Sequence, residues 1–581
     1  MKKFGGFVIG TIMLMTILAC GKQQDIHNSD STALSANETT SLEEVTTEAE
    51  PVTNSGLIQN SAGIIIREIH TEEESKAEIP DEERGMGRVE EEYSAQEDAI
   101  NLGVSKILVV QMDSNSMYHM DPKILGEFNE RLVTQYGCDF VVSFVSVDPY
   151  KSKRYKGYFY RDVLEDVKNS GQQLDIMLAI SWAATAYADL VSEGYFEDIT
   201  DYLVTDDEGK KLYNSYPEEM WESLEVNERI YGYCPYSQCA SVYKLCCNRE
   251  LAEALDLDVE EGFSIYDVEN ILKRVDLTDE KMNDVVPIYI NSEYLYGMLG
   301  YYEIGSGIFA KADADGNWTA FNATEDEAFI ALWKKLREYQ DNGWLKTDDS
   351  SYQKVANGKY LFFANEFKHP TFPYPINDKF VMTARTANGE KKVTHEIISG
   401  EMYYGYFDAG KEVYGITAWS EYKEEALKLI TLINTEAELA NFLMYGTENE
   451  HYVYEDNIVR QLTPDTPDQF GMGNRDAMVN HSITYPIYLE PQNKQEFYKE
   501  EAAKLEKSPL LECDIIPKEL EELKAQYDTG SVLEQIYSQG YSKLMAGEYE
   551  DVDAAVTEIN RMQKEAGIDE YIAALNAKFK K

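Results

Sequence analysis

"KILVVQMDSNSMYHMDPKILGEFNERLVTQYGCDFVVSFVS" occupies Lys106–Ser146 and decides the fold class. Lys106–Met112 is a short apolar run rich in β-branched residues, as a buried strand requires. Then Ile124, Leu125, Phe128, Leu132, Val133 and Tyr136 recur at helical spacing, and Gly137 supplies a stop. "DFVVSFVSV" (Asp139–Val147) returns to strand. Strand, helix, strand in about forty residues is the unit from which parallel sheets are built.

The alternation continues outward. Tyr160–Ser170 places Val163, Leu164 and Val167 on one helical face and ends at Gly171, "LDIMLAIS" is a third strand, and "ADLVSEGYFEDITDYL" is helical again. In such sheets ligands sit beyond the carboxyl ends of the strands. Those ends are Met112–His119, Ser146–Tyr150 and Ser181–Thr185. A second α/β stretch begins near Asn248, with a helix in "SIYDVENILKRVD", a strand in "VVPIYIN" and a hairpin-like turn in "ADADGNWTAF". A helix follows in "TEDEAFIALWKKLREYQDNGWLKTD", with Thr324 as N-cap, Glu327 three residues on and Gly343 as its stop. "EYKEEALKLITLINTEAELANFLMYG" is a helix pair, and Ser531–Lys580 is helical with breaks at Gly540, Gly547 and Gly567.

The 581 residues exceed what one compact core accommodates, so two or more lobes are expected. Hydrophobic residues make up 43%, enough for large cores. The net charge of −52, from 105 acidic and 53 basic residues, repels nucleic acid and anionic lipid and sets both aside as partners. The 42 tyrosines suit polar organic ligands as well as packing, because each ring carries a flat apolar face and a hydroxyl.

The N-terminus opens on Lys2 and Lys3, runs apolar from Phe4 to Ala19 and ends at Cys20. Sixteen apolar residues are short for a membrane span, and the basic–apolar–small order is that of a secretory signal. "ILACG" (Ile17–Gly21) resembles the lipobox of bacterial lipoproteins, which implies that Cys20 is the acylated, palmitate-type anchor of the mature protein. Residues 21–102 are rich in Ser, Thr and Glu and poor in aromatics, so they read as an acidic disordered tether. About 80 flexible residues span roughly 50 Å. Within them "SAGIIIREI" (Ser61–Ile69) has the composition of a short strand.

The order of segments along 104–580 resembles the large lipoprotein members of the bacterial extracellular solute-binding proteins of ABC importers, which have a maltose-binding-protein-like fold. Five stretches carry it: Leu174–Leu203, Tyr216–Ser237, Asp313–Leu345, Ile433–Val453 and Ile559–Lys578. The second, "YPEEMWESLEVNERIYGYCPYS", is similar to the family's Tyr-Gly-x-Pro block but lacks its first glycine and has two residues between Gly232 and Pro235. The resemblance implies a two-lobed α/β fold of the periplasmic-binding-protein type II, with strands that cross a hinge. It implies that "CASVYKLCCN" (Cys239–Asn248) is the first crossing, that the chain returns around Gly400–Gly410, and that a third crossing lies near Tyr445–Tyr454. The first lobe is then 103–241 plus 408–446 and the second 242–407 plus 447–581. A solute touching both lobes favours closure, and a permease reads it.

Candidate ligand contacts follow from this. Asp113, Ser114, Asn115 and His119 succeed the first strand with short polar chains that suit sugar hydroxyls. Trp182 succeeds the third strand as a stacking platform or donor, and Tyr233 and Tyr236 flank Pro235. Glu293, Tyr294, Glu366 and Lys368 offer hydrogen bonds from the second lobe, and Trp419 follows the returning strand. For each, packing or loop capping is the alternative role.

Beyond Cys20 lie Cys138, Cys234, Cys239, Cys246, Cys247 and Cys513. Cys246 and Cys247 are strand neighbours, so their side chains point to opposite faces and do not share one tetrahedral metal site. Small core residues, a disulfide and a metal site remain the readings, in that order. "DADGN" lacks the further ligands of a calcium loop and reads as a turn. The histidines show no metal-ligand spacing, and no Gly-x-Ser-x-Gly elbow occurs. The expectation is therefore a monomeric, lipid-anchored, extracytoplasmic solute-binding protein with no enzyme activity, cofactor or metal. It delivers a carbohydrate or oligosaccharide to ABC permease subunits. Alternatives are a peptide-binding protein of the same class and a surface glycan-active lipoprotein enzyme.

Overall fold

The computed structural model describes residues 95–580 apart from 113–121, 147–159, 181–185, 235–239, 370–377, 463–477 and a few single or paired residues; three short strands at 57–59, 65–67 and 87–88 are also described. Two sheets dominate. The first has the strand order Glu412–Ile416, Ile176–Ile180, Lys106–Met112, Phe140–Ser146, Gly87–Arg88. Its three central strands are parallel and its two edge strands antiparallel to their neighbours. The parallel strands are the three apolar runs picked out by composition. Both faces are covered, so Leu108, Val110, Val142, Met177 and Ala179 are all buried.

The helix Pro122–Thr134 packs on this sheet through Ile124, Leu125, Phe128 and Leu132, and Tyr160–Ser170 adds Leu164 and Val167. Gly137 and Gly171 follow these helices at φ +60° and +71°, a region that costs a residue with a Cβ and costs glycine nothing. A shorter helix, Ala95–Leu102, lies within the stretch read as tether. Ala95 and Ala99 pack with Val141, and Asp98 accepts from Asn129 Nδ2 at 3.0 Å. The strand anticipated within Ser61–Ile69 is Ile65–Arg67, paired antiparallel with Leu57–Gln59.

The second sheet has the order Leu345–Lys346, Val286–Ile290, Tyr360–His369, Ala240–Asn248, Gly389–Tyr404, Lys379–Thr386. Val286–Ile290 and Tyr360–His369 run parallel; Ala240–Asn248 runs antiparallel to Tyr360–His369 and to Gly389–Tyr404. Alternation along Ala240–Asn248 sends Cys246 to one core cluster and Cys247 to another, on opposite faces. Cys138, Cys234, Cys246, Cys247 and Cys513 stand as thiols rather than disulfides; Cys20 and Cys239 lie outside the described residues.

A three-stranded antiparallel sheet, Tyr302–Gly305, Ile308–Ala312 and Trp318–Asn322, and the C-terminal helices complete this half. Val532–Met545 runs unbroken through Gly540, whose lack of a side chain was expected to end it. The helix Glu327–Asp341 is capped by Asp326, which accepts from the amides of Ala328 and Phe329; Thr324 sits one short turn earlier.

The third crossing is not near Tyr445–Tyr454. Tyr452, Val459, Met478, Val479, Tyr498 and Ala502 all pack into the core of the first sheet. The chain leaves that core at Glu506–Lys507, which pairs with Tyr406–Phe407, and Leu510 is already in the second half. The glycine stop at Gly446 opens a hairpin, Tyr452–Glu455 with Ile458–Gln461, that folds back on the first half.

Candidate functional site

Register shows which edges of the two sheets face the crossings. In the first sheet Ile180 pairs with Glu412, so the returning strand enters at the carboxyl end of its parallel neighbour. Tyr233 bridges to Tyr414, which pairs with Leu178 in the middle of the same neighbour, and Ala240 is already in the second sheet. In the second sheet Ala240 pairs with His369 and Tyr404 pairs with Val242. The outgoing chain thus meets the carboxyl ends of Val286–Ile290 and Tyr360–His369, and the returning chain departs from there. Both sheets present their carboxyl edges to the strip where the chain crosses, which is where α/β sheets bind ligands.

Two of the candidate contacts in the second half, Glu293 and Glu366, are half-buried among the described residues. Asn291 ends its strand, donates its N–H to Ala364 O at 2.9 Å and accepts from Glu293 N at 2.9 Å, starting the helix Ser292–Leu299. Glu293 is half-buried and accepts from Ser292 Oγ at 3.1 Å. Glu366, also half-buried, accepts a hydrogen bond from Ser241 Oγ on the adjacent strand. Tyr243, paired with Glu366, is buried against Gly297, where a Cβ would come within 2.3 Å of the ring. Burial pushes the Tyr243 hydroxyl well above its ordinary value, and the negative charges of Glu366, Glu293 and Glu303 add to it. The backbone of Lys368 pairs with Ser241. Tyr243 is therefore core, and the two half-buried carboxylates offer acceptors suited to hydroxyl donors.

Other expected contacts fall elsewhere. Tyr294 is fully buried between sheet and helices, edge-on to Tyr403 with centroids 6.1 Å apart, so its ring is core and not cleft. Trp419 lies at the wrong end of the first sheet. Its strand runs antiparallel, with Ile416 beside Ile176, so the residues after it reach the amino edge. There its ring meets Tyr195 edge-on at 5.9 Å, with Lys168 Nζ 5.9 Å from its centroid. Tyr233 packs under the turn, stacked on Tyr414 and donating to Met478 O at 2.8 Å. Asp113, Ser114, Asn115, His119, Trp182 and Tyr236 lie outside the described residues.

Sequence reading missed Ser241, although the alternation in "CASVYK" places it on the face of Tyr243. It also missed Glu303, whose single legible sign was a charge inside the short strand Tyr302–Gly305. In "DADGN", Asp313 Oδ1 accepts from the amides of Asp315 at 2.8 Å and Asn317 at 3.0 Å, and Oδ2 accepts from Asn317 Nδ2 at 3.0 Å, the geometry of a hairpin turn. Among the described residues no three His, Cys, Asp or Glu side chains are grouped to hold a metal.

No protein-family model matches the chain. A carbohydrate ABC transporter substrate-binding protein of Streptococcus pneumoniae is 24% identical over 300 residues, which is 50% of this chain and 57% of that protein. The match therefore spans little more than half the length of that relative. Among solved structures, the N-glycan transport solute-binding protein NgtS of Streptococcus pneumoniae superposes with a TM-score of 0.58 at 18% identity, covering 82% of this chain and 98% of that one. An HMO-binding, ABC-transporter-associated solute-binding protein of Bifidobacterium longum infantis gives 0.53 at 13% identity over 82% and 98%. With its two sheets and the crossings between them, the chain has the two-lobed α/β fold of the bacterial extracellular solute-binding proteins.

Proposed function

We propose that this protein is the extracytoplasmic solute-binding component of a carbohydrate ABC importer. It captures an oligosaccharide between its lobes and hands it, unaltered, to membrane permease subunits. The observation that carries this reading is the pair of carboxyl edges turned toward one crossing strip, in a fold whose solved examples include glycan-binding proteins. Core membership suggests lobes of 95–234 plus 412–505 and of 240–405 plus 508–580. A solute that touches both favours the closed arrangement by its differential affinity, and no covalent step is needed.

Glu293 and Glu366 serve as acceptors from sugar hydroxyls on the second-lobe wall, and their charge disfavours anionic glycans. Trp182, Tyr236, Asp113 and Asn115 contribute from segments that follow first-lobe strands or precede the first crossing. A thermal-shift screen over neutral and acidic oligosaccharides and short peptides tests the reading, because a ligand of the folded form raises the melting temperature. A rise with neutral oligosaccharides supports it; a rise with peptides alone overturns the carbohydrate assignment.

Anchoring through acylated Cys20 completes the proposal, with the protein working as a monomer on the outer face of the membrane. No helix among the described residues is long and apolar enough to cross a membrane. Cys20→Ser is expected to release the protein to the soluble fraction, and continued sedimentation with membranes would count against lipidation.

A further inference from the structure

We infer that Tyr454 and Tyr485 form an outer stacking platform on the rim of the first lobe, which receives a sugar ring of a long oligosaccharide whose other end lies in the cleft. This rests on the solute-binding reading above and extends it to ligand length.

The position follows from helix directions. Pro122–Thr134 begins beyond the carboxyl end of Lys106–Met112 and runs back to the strand Phe140–Ser146, so its first turn lies at the cleft edge. Ala437–Tyr445 packs along it in the opposite sense. Glu438 pairs with Arg131 at 3.3 Å, and the Arg131 guanidinium sits 4.1 Å from the Phe442 ring centre. Beyond its end, Thr447 Oγ1 donates to Glu127 at 2.9 Å and Glu450 pairs with Lys123. The hairpin that starts at Tyr452 therefore rises from the cleft edge and not from the amino edge.

Alternation puts Tyr452 and Tyr454 on one face of that hairpin. Tyr452 is buried against Tyr445, with ring centroids 5.9 Å apart. Tyr454, two residues farther out, has its ring centroid 4.6 Å from that of Tyr485, and these two residues remain 37% and 38% exposed. The platform is held firmly. Tyr485 N donates to Asn441 Oδ1 at 2.6 Å, Tyr445 OH donates to Tyr485 O at 3.0 Å, and Val459 N donates to Pro486 O at 2.8 Å.

Leaning on each other with planes 34° apart, the two rings each turn part of an apolar face, edged by its hydroxyl, to solvent. That matches a pyranose ring, with an apolar C–H face and polar edges, better than it matches a charged partner. Continuity with the cleft edge selects an outer unit of the same oligosaccharide as the occupant.

The test titrates the full mature protein and its Tyr454→Ala, Tyr485→Ala and Tyr454→Phe variants with matched disaccharides and hexasaccharides of the gluco-, manno- and xylo-series. The expected result is that each alanine variant loses about five- to tenfold in affinity for the preferred hexasaccharide. Both alanine variants keep the disaccharide affinity within about twofold, and the phenylalanine variant behaves as the parent. Equal loss for both lengths assigns the rings a purely structural role and overturns the platform, as does no loss for either. If the parent protein binds none of the series, the solute reading itself fails and the platform falls with it.

Discussion

Asp175 in the first lobe and Glu303 in the second are both buried carboxylates, and the two are treated differently. Asp175 stands at the amino edge of the first sheet, fully buried, and every side of it is used. Oδ2 accepts from Val109 N at 2.8 Å and Gln173 Nε2 at 2.7 Å, and Oδ1 accepts from Ser420 Oγ at 2.5 Å. It ties two parallel strands to the turn after the returning strand. Burial raises its pKa, and these donors pull it back. Glu303, in the second lobe, accepts from Tyr537 OH at Oε1, while its Oε2 has no hydrogen-bond partner among the described residues. Burial pushes Glu303 up to about 8; the Tyr537 hydrogen bond opposes this, and the charges of Glu293 and Glu534 add smaller upward pushes. The first lobe holds an anion in a finished socket, and the second holds a carboxylic acid that keeps its proton at neutral pH. The difference teaches that the two halves respond to different perturbations.

The largest expected effect breaks the socket. Asp175→Ala leaves the Val109 amide and the Ser420 hydroxyl buried without acceptors and is expected to cost about 3 kcal/mol of stability. Urea unfolding followed by far-ultraviolet circular dichroism reads it; a cost under about 1 kcal/mol would show that the socket is not holding the edge together.

The second effect separates the lobes by pH. Glu303 has its folded pKa raised above the ordinary 4.5, so the folded state binds the proton more tightly. That contribution is fully present below about pH 4.5, declines by at most about 1.4 kcal/mol per pH unit as pH rises toward 8, and stays lost above it. Melting temperatures across this window are expected to fall in the parent protein, and Glu303→Gln is expected to flatten the part of the slope that Glu303 supplies. An unchanged slope in the variant would assign the pH dependence to other groups.

The third prediction concerns the tryptophans that follow strands at opposite edges of the first sheet. Trp182→Ala is expected to weaken oligosaccharide binding by about tenfold, beyond any loss of stability. Trp419→Ala, at the amino edge beside Tyr195, is expected to lower stability by about 1–3 kcal/mol while leaving affinity within about twofold. Calorimetric titration paired with thermal melts checks both, and the reverse pattern would move the binding edge to the other end of the sheet.

What could be read in advance was periodicity. The apolar runs Lys106–Met112, Phe140–Ser146 and Ile176–Ile180 are strands of one sheet because their spacing and intervening helices admit little else. The opposite faces of Cys246 and Cys247 followed from alternation alone. Direction could not be read. Trp419 was expected at the cleft because the family resemblance places cleft residues after "YGITA", but that strand is antiparallel to its neighbour, which puts its successor at the amino edge. The third crossing was missed because residues 452–502 carry the composition of either lobe, and only their packing assigns them to the first. Tyr294 was misplaced for a related reason. An aromatic near a helix start looks available in sequence, whereas the helix phase turns it onto the sheet.

Two lobes that close on an oligosaccharide and leave it intact have a distinct calorimetric signature. Calorimetric titration of the mature protein with its preferred neutral oligosaccharide tests this most directly. A finite heat that saturates at one ligand per chain and then ceases is the predicted result. Heat that continues after saturation, as glycosidic bonds are cut, would contradict the claim, and so would the absence of any saturable heat across the neutral oligosaccharides.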